Sequence, residues 1–356
     1  MATKIGQDLI AWYKKNKRDL PWRNTNDPYL IWVSEIILQQ TRVDQGLSYY
    51  LRFVERFPSM EDLANASENE VLKYWQGLGY YSRARNMHAS ARQIRELYKG
   101  KFPNNYEQIK SLKGVGSYTA AAIASIAFNL PHAVIDGNVN RVIARLFGIE
   151  IAVNTNKGQE LVEEKLNTIF VRKDPANFNQ AIMELGAMIC KPSSPDCDQC
   201  VLSDNCVALQ QNRIGEFPVK VKLKSPKLLY LFYFILKYQN SSQQVVYLNK
   251  RGENEIWKNL YDFPGLKSDF KRGMNEVVTE FKQKYFLNNF DLDPEKIIGP
   301  IKHQLTHKSI KAFFIEFNID KHYVNNINDE LIAVTIDELQ KYPVSKLIEN
   351  YIKAHL

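Results

Sequence analysis

Four cysteines fall within 17 residues: Cys190, Cys197, Cys200 and Cys206, spaced C-x6-C-x2-C-x5-C. Four thiolates can hold an iron–sulfur cluster or a zinc ion. Two disulfides are disfavoured in a reducing compartment. Zinc sites favour paired C-x2-C units, and no histidine lies near, so spacing ranks the cluster first, zinc second and chance grouping third. Two carboxylates also stand out. Glu35 sits in SEIILQQTRV beside Trp32, Val33, Ile36 and Ile37. An acidic group in such company loses hydration, which raises its pKa and suits it to donate a proton near neutrality. The alternative is a glutamate on a helix's exposed polar face. Asp136, in AVIDGNVNRVIARLFG, follows an apolar run and precedes a helix. It is placed to be an N-cap, and a helix N-terminus favours the ionised carboxylate. A protonated carboxyl and an ionised one are the pair that breaks a glycosidic bond: one assists the leaving group, the other faces the cationic sugar.

The elements that position these groups are mostly helical. From Lys4 to Gln211, apolar residues recur at three and four, and Gly and Pro break the segments near Pro58, Gly77–Gly79, Pro103, Gly114–Gly116 and Asp136–Gly137. In LKGVGSYTAAAI, glycines 114 and 116 permit a tight turn, and backbone amides at the next helix start can bind a phosphate oxygen without reading sequence. Lys113 is placed to add a phosphate contact; a plain connecting turn with a solvated lysine is the alternative. Residues 212–227 are basic, polar and contain proline, as a linker does. Beyond them, LLYLFYFILKY and QQVVYLNKRG predict a hairpin of strands, Asn275–Tyr285 a helix and Ile310–Phe317 another strand.

The predicted organisation is a mainly α catalytic domain over 1–211, a linker over 212–227 and a smaller α+β domain over 228–356. Charge follows that division. Residues 1–227 carry 30 Lys and Arg against 23 Asp and Glu, net +7, and residues 228–356 carry 17 against 16, net +1, which sum to the whole chain's +8. A basic domain attracts polyanions, nucleic acid above all. The N-terminus reads as an amphipathic helix rather than a signal peptide, and the run Leu228–Leu236 is short of the ~20 residues that span a bilayer. The expectation is a soluble protein of the cytoplasm, associated with the nucleoid.

The cysteine spacing, following FNQAIMELGAMIC, resembles the 4Fe–4S loop of the endonuclease III and adenine glycosylase superfamily. LKGVGSYTAAAI resembles the helix-hairpin-helix of DNA repair glycosylases. With LPWR, SEIILQQTRV, QGLGYYSRARN and VIDGNVNRV, residues 5–210 resemble the adenine DNA glycosylase (MutY) family. The resemblance implies a 4Fe–4S cofactor and a glycosylase that flips adenine out of double-stranded DNA, from mispairs with 8-oxoguanine or guanine, as a monomer. It assigns Glu35 as the acid that protonates adenine and Asp136 as the stabiliser of the sugar cation. It assigns Lys113, Gly114, Val115 and Gly116 to the DNA backbone. Trp22, Arg23, Asn138 and Gln180 match base-pocket positions; Gln40, Leu78 and Tyr80 match wedges that offset unstacking. Bifunctional relatives carry a lysine where this chain has Tyr118, so a monofunctional enzyme is expected, with Tyr118 shaping the pocket.

IWKNLYDFPGLK resembles the entry to a Nudix-like 8-oxoguanine recognition domain. FKRGMNEVVTEFKQKY lacks the REx2E metal helix, so neither pyrophosphatase activity nor a Mg²⁺ site is expected. The family commonly reads 8-oxoguanine with Phe-Ser-His; this chain has Leu305-Thr306-His307, where leucine would wedge and threonine keeps the hydroxyl. Two other readings stay open: a bifunctional endonuclease III-type lyase, disfavoured by Tyr118 and the second domain, and a non-catalytic iron–sulfur DNA-binding protein, disfavoured by the two carboxylates.

Overall fold

Asp27 caps the Pro28–Leu38 helix through the Tyr29 amide at 2.8 Å, with Pro28 at a first-turn position that needs no amide partner. This helix is apolar on nearly every side, so it is buried, and Glu35 is its one carboxylate. The computed structural model describes residues 2–222, 225–240, 243–286, 291–327 and 329–356. Contacts divide the chain into two units: Met1–Asn65 with Asn86–Leu223, and Ala66–Arg85 with Lys224–Leu356.

The first unit is helical. Its small-residue helix Ser117–Phe128 packs against Pro28–Leu38, Tyr106–Lys110 and Pro175–Met188. The Ala2–Asn16 helix also lies on Pro175–Met188. The core gathers Leu9, Tyr13, Val142, Leu166, Phe178 and Ile182, and Cys190, Cys200 and Cys206 pack against it. Asp136 is the N-cap of the Gly137–Phe147 helix, accepting from the Val139 amide at 2.7 Å, and Gly148 ends that helix in the left-handed region.

The second unit is built on a mixed seven-stranded sheet: β1 Lys227–Asn240, β2 Gln243–Lys250, β3 Tyr261–Asp262, β4 Gly265–Ser268, β5 Lys296–Gln304, β6 Lys308–Ile319 and β7 Ile332–Thr335. The order is β3-β2-β1-β6-β5, with β4 on β1 and β7 on β2. Strands β1 and β6 are parallel and in register from Lys227/Lys308 to Tyr238/Ile319. Strand β1 is covered on both faces, which is why its sequence is a continuous apolar run. Leu229, Leu231, Tyr233 and Ile235 join one core, with the Lys346–His355 helix; Tyr230, Phe232, Phe234 and Leu236 join the other, with Met274–Tyr285. The predicted hairpin is β1 and β2; its turn at 241–242 lies outside the described residues.

Sequence patterning places residues 66–85 among the helices of 1–211, whereas contacts group them with the sheet. Asn69 donates to the Tyr261 hydroxyl at 3.3 Å, Tyr81 to the Val344 carbonyl at 3.1 Å and Arg85 to the Lys258 carbonyl at 2.9 Å. On the Met274–Tyr285 helix, Glu276 and Glu280 both pair with Arg272 at 2.6 Å.

Candidate active site and iron–sulfur loop

Glu35 faces an open cavity of about 1090 Å³, whose lining includes Trp22, Arg23, Tyr118, Asp136 and Gln180. That volume lies just above the range of small-molecule clefts, roughly 300–1,000 Å³, and is ample for a base with its sugar. The Tyr118 hydroxyl donates to Glu35 Oε2 at 2.8 Å and also lies 3.4 Å from the Met183 sulfur. Burial pushes the Glu35 carboxyl up to about 7. Asp136 adds to the rise, while the Tyr118 hydrogen bond and the Arg23 charge oppose it. Burial, with the carboxylates nearby, holds the Tyr118 phenol well above its ordinary range, so it is neutral and a donor.

Asp136 differs from expectation in one respect. Its carboxyl accepts from the Val139 amide and, at 3.0 Å, from Asn138 Nδ2, both of which favour ionisation. Burial outweighs them, and its pKa lies above, not below, the ordinary aspartate value. Asn138 is itself held by Arg141, which donates to Asn138 Oδ1 at 2.9 Å, to the Gly186 carbonyl at 2.8 Å and to the Cys190 carbonyl at 2.7 Å. A Cβ on Gly186 would sit 2.7 Å from Asn138 Cβ, so a glycine is needed there. Sequence reading missed Arg141, since its partners lie up to 49 positions away.

Trp22 is buried edge-on to Tyr50, with ring centroids 5.0 Å apart. Gln180 accepts from the Tyr13 hydroxyl at 2.9 Å. Gln40 is exposed at the cavity lining with a left-handed φ of 60°, outside the preceding helix. The lysine-to-glycine turn takes the expected shape, with Gly114 at φ 78° and no room for a Cβ against Asn86. Lys113 is exposed. Val115 does not offer its amide to a ligand. That amide closes the turn onto the Leu112 carbonyl at 3.0 Å, and its side chain is buried. The donors for a phosphate are then the first-turn amides that follow Gly116, which have no partner within the helix.

In the second unit, the loop between β5 and β6 exposes Thr306 and His307. Leu305 is half-buried against the sheet core, which reduces what it can wedge. Leu78 is buried, while Tyr80 is half-exposed with φ 47°. The Tyr80 hydroxyl and Thr306 Oγ1 are 2.8 Å apart, so two groups read separately from the sequence form one contact.

The four cysteines line one hollow with Arg145. Buried Arg145 donates to Cys190 Sγ at 3.4 Å, to the Lys191 carbonyl at 2.7 Å and to the Pro192 carbonyl at 3.1 Å. Four cysteines around a hollow, with a cation beside one sulfur, fit an anionic thiolate-bound cluster.

Residues 33–171 match the HhH-GPD superfamily of base excision DNA repair proteins, residues 190–206 the iron–sulfur binding domain of endonuclease III, and residues 233–354 the NUDIX domain. The adenine DNA glycosylase of Buchnera aphidicola subsp. Baizongia pistaciae is 34% identical over 354 residues, covering 98% of this chain and 96% of that protein. The chain belongs to the adenine DNA glycosylase family. The human adenine DNA glycosylase is 42% identical over 223 residues, covering 59% of this chain and 40% of that one. A solved thermostable thymine-DNA glycosylase aligns with a TM-score of 0.52 and 31% identity, over 58% of this chain and 96% of its own. Endonuclease III bound to DNA shares the fold, with a TM-score of 0.50 at 22% identity. As a member of the adenine DNA glycosylase family, the chain is a DNA-binding base excision repair enzyme acting on N-glycosyl bonds, with a 4Fe–4S cluster whose binding domain matches residues 190–206, the loop that holds the four cysteines. No helix among the described residues is long and apolar enough to cross a membrane.

Proposed function

We propose that this enzyme hydrolyses the N-glycosidic bond of adenine mispaired with 8-oxoguanine or guanine, and stops at the abasic site. The carrying observation is one cavity that holds a carboxyl poised near neutrality, Glu35, together with Asp136 and a neutral Tyr118. The adenine nucleotide flips into this cavity. Glu35 delivers its proton to the departing base, the carboxylate of Asp136 faces the oxocarbenium-like sugar, and water adds at C1′ while its released proton passes to the Glu35 carboxylate or to solvent. Trp22, Arg23, Asn138 and Gln180 shape the pocket, and Gln40, Leu78 and Tyr80 offset unstacking. Lys113 and the Gly114–Gly116 turn hold the backbone. Thr306 and His307, with Tyr80 beside Thr306, read the partner base through hydroxyl and imidazole groups. The protein acts as a monomer on nucleoid DNA.

Tyr118 argues against a lyase. A phenol cannot form a Schiff base, and here it is engaged with Glu35. The test is base release from duplexes with adenine opposite 8-oxoguanine, guanine or thymine, with borohydride added in parallel. Adenine release opposite 8-oxoguanine and guanine without a trapped adduct is expected. Saturating borohydride trapping would overturn the monofunctional assignment, and equal release opposite thymine would overturn mispair specificity.

A further inference from the structure

Glu184, on the Pro175–Met188 helix, has a side chain with no exposure, and it lines the same cavity as Glu35. Its carboxylate receives two arginines from the chain segment before the Pro28–Leu38 helix. Arg18 donates through its amide at 3.0 Å, Nε at 2.9 Å and Nη2 at 2.6 Å. Arg23 donates through Nη1 at 2.6 Å and Nη2 at 2.5 Å. A carboxylate taking two guanidinium groups in paired geometry is strongly held, and it holds them in turn. The two arginines keep the Glu184 carboxyl down at about 2, so it is charged at every working pH. Arg23 also lies over the Tyr13 ring, 5.6 Å from its centroid, and donates to the Arg18 carbonyl at 3.2 Å.

Two cations and one anion leave a net single positive charge at the wall of the base cavity. Glu35 also faces Tyr118 from the Ser117–Phe128 helix and Asp136 from the cap of Gly137–Phe147. Arg42, Asp44 and Lys191 also line the cavity. A cation near Glu35 favours its ionised form, which cannot donate a proton. Arg23 already acts in that direction.

We infer that Glu184 is a positioning residue of the base cavity: it fixes Arg18 and Arg23 in place and offsets their charge, so that Glu35 keeps its proton. This rests on Glu35 being the acid proposed above. Uncovering one positive charge on the wall of the same cavity favours the ionised carboxylate. Glu184→Gln should therefore lower the Glu35 value. Arg18→Gln, on a partly exposed side chain, should raise it. The double variant restores the wild-type charge and should return close to the wild-type value.

The test is a ¹³C NMR titration of the cluster-loaded protein carrying ¹³C-carboxyl glutamate, with the Glu35 signal assigned by its loss in Glu35→Gln. Opposite shifts in the two single variants, and recovery in the double, are expected. Shifts in the same direction, or none, with native spectra and cluster absorbance, would overturn the inference. If Glu184→Gln does not fold, Arg18→Gln alone must still raise the value, and failure to do so overturns it. The basic limb of adenine release against pH should move with each titration. If the NMR values move as stated and the limb does not, the positioning role stands and the assignment of Glu35 as the acid fails.

Discussion

Glu35→Gln should stabilise the protein in alkaline solution while slowing adenine release at least ~100-fold. The carboxyl sits at about 7 in the folded chain against 4.5 for an ordinary glutamate. A folded-state pKa above the unfolded one means that the native state binds the proton more tightly. The contribution to stability is full below about 4.5 and is lost as pH rises through about 7. Above that, the fold carries a charged carboxylate in a poor environment. Each pKa unit is worth about 1.36 kcal/mol, so the rise from 4.5 to about 7 sets an upper bound of about 3 kcal/mol. Contact with the cavity solvent reduces it, and about 1–3 kcal/mol is expected. Glutamine keeps the shape and can accept from the Tyr118 hydroxyl, but has no charge to bury. Urea denaturation of the helical unit, followed by tryptophan fluorescence at pH 5 and pH 8.5, measures the difference. The variant should gain stability over wild type on going from pH 5 to pH 8.5. An identical offset at both pH values would refute the reasoning, since it would mean that Glu35 titrates normally.

Three further substitutions probe the neighbouring groups. Tyr118→Phe removes a hydrogen bond that favours the Glu35 carboxylate, so the basic limb of the rate profile should move to higher pH; a limb moving lower would contradict that. Asp136→Asn retains a good helix cap and should fold normally with base release strongly reduced, whereas Asp136→Ala should also lose about 0.5–2 kcal/mol of stability. Wild-type rates in Asp136→Asn would remove Asp136 from the mechanism. Thr306→Ala should narrow the rate difference between adenine opposite 8-oxoguanine and opposite guanine, and unchanged discrimination would take Thr306 out of partner-base reading.

Much of this was legible in the sequence wherever the cause was local. Apolar neighbours within one helical turn mark Glu35 as a candidate for desolvation but leave an exposed polar face equally open, and packing against other segments decides it. Asp before Gly-Asn-Val announced a cap, and the double glycine announced a turn. What the sequence hid were encounters between distant segments. Tyr118 reaches Glu35 across 83 positions, and Glu184 takes Arg18 and Arg23 across 166 and 161. Local patterning also misjudged balances. The capping bonds of Asp136 were visible, but the burial that outweighs them was not. The sequence does not show that the Leu305 side chain packs partly against the sheet core, because loop residues adjoining strand β6 share that core. Residues 66–85 have a helical pattern like the rest of their neighbourhood, and only their hydrogen bonds to 258, 261 and 344 show where they pack.

The central claim is that Glu35 donates the proton that releases adenine. Single-turnover adenine release from a duplex with adenine opposite 8-oxoguanine, compared between wild type and Glu35→Gln at pH 7 with cluster content and DNA affinity matched, tests it directly. The variant should still bind the duplex and release adenine at least ~100-fold more slowly, the lower end of what a positioned acid contributes. Release at the wild-type rate would contradict it.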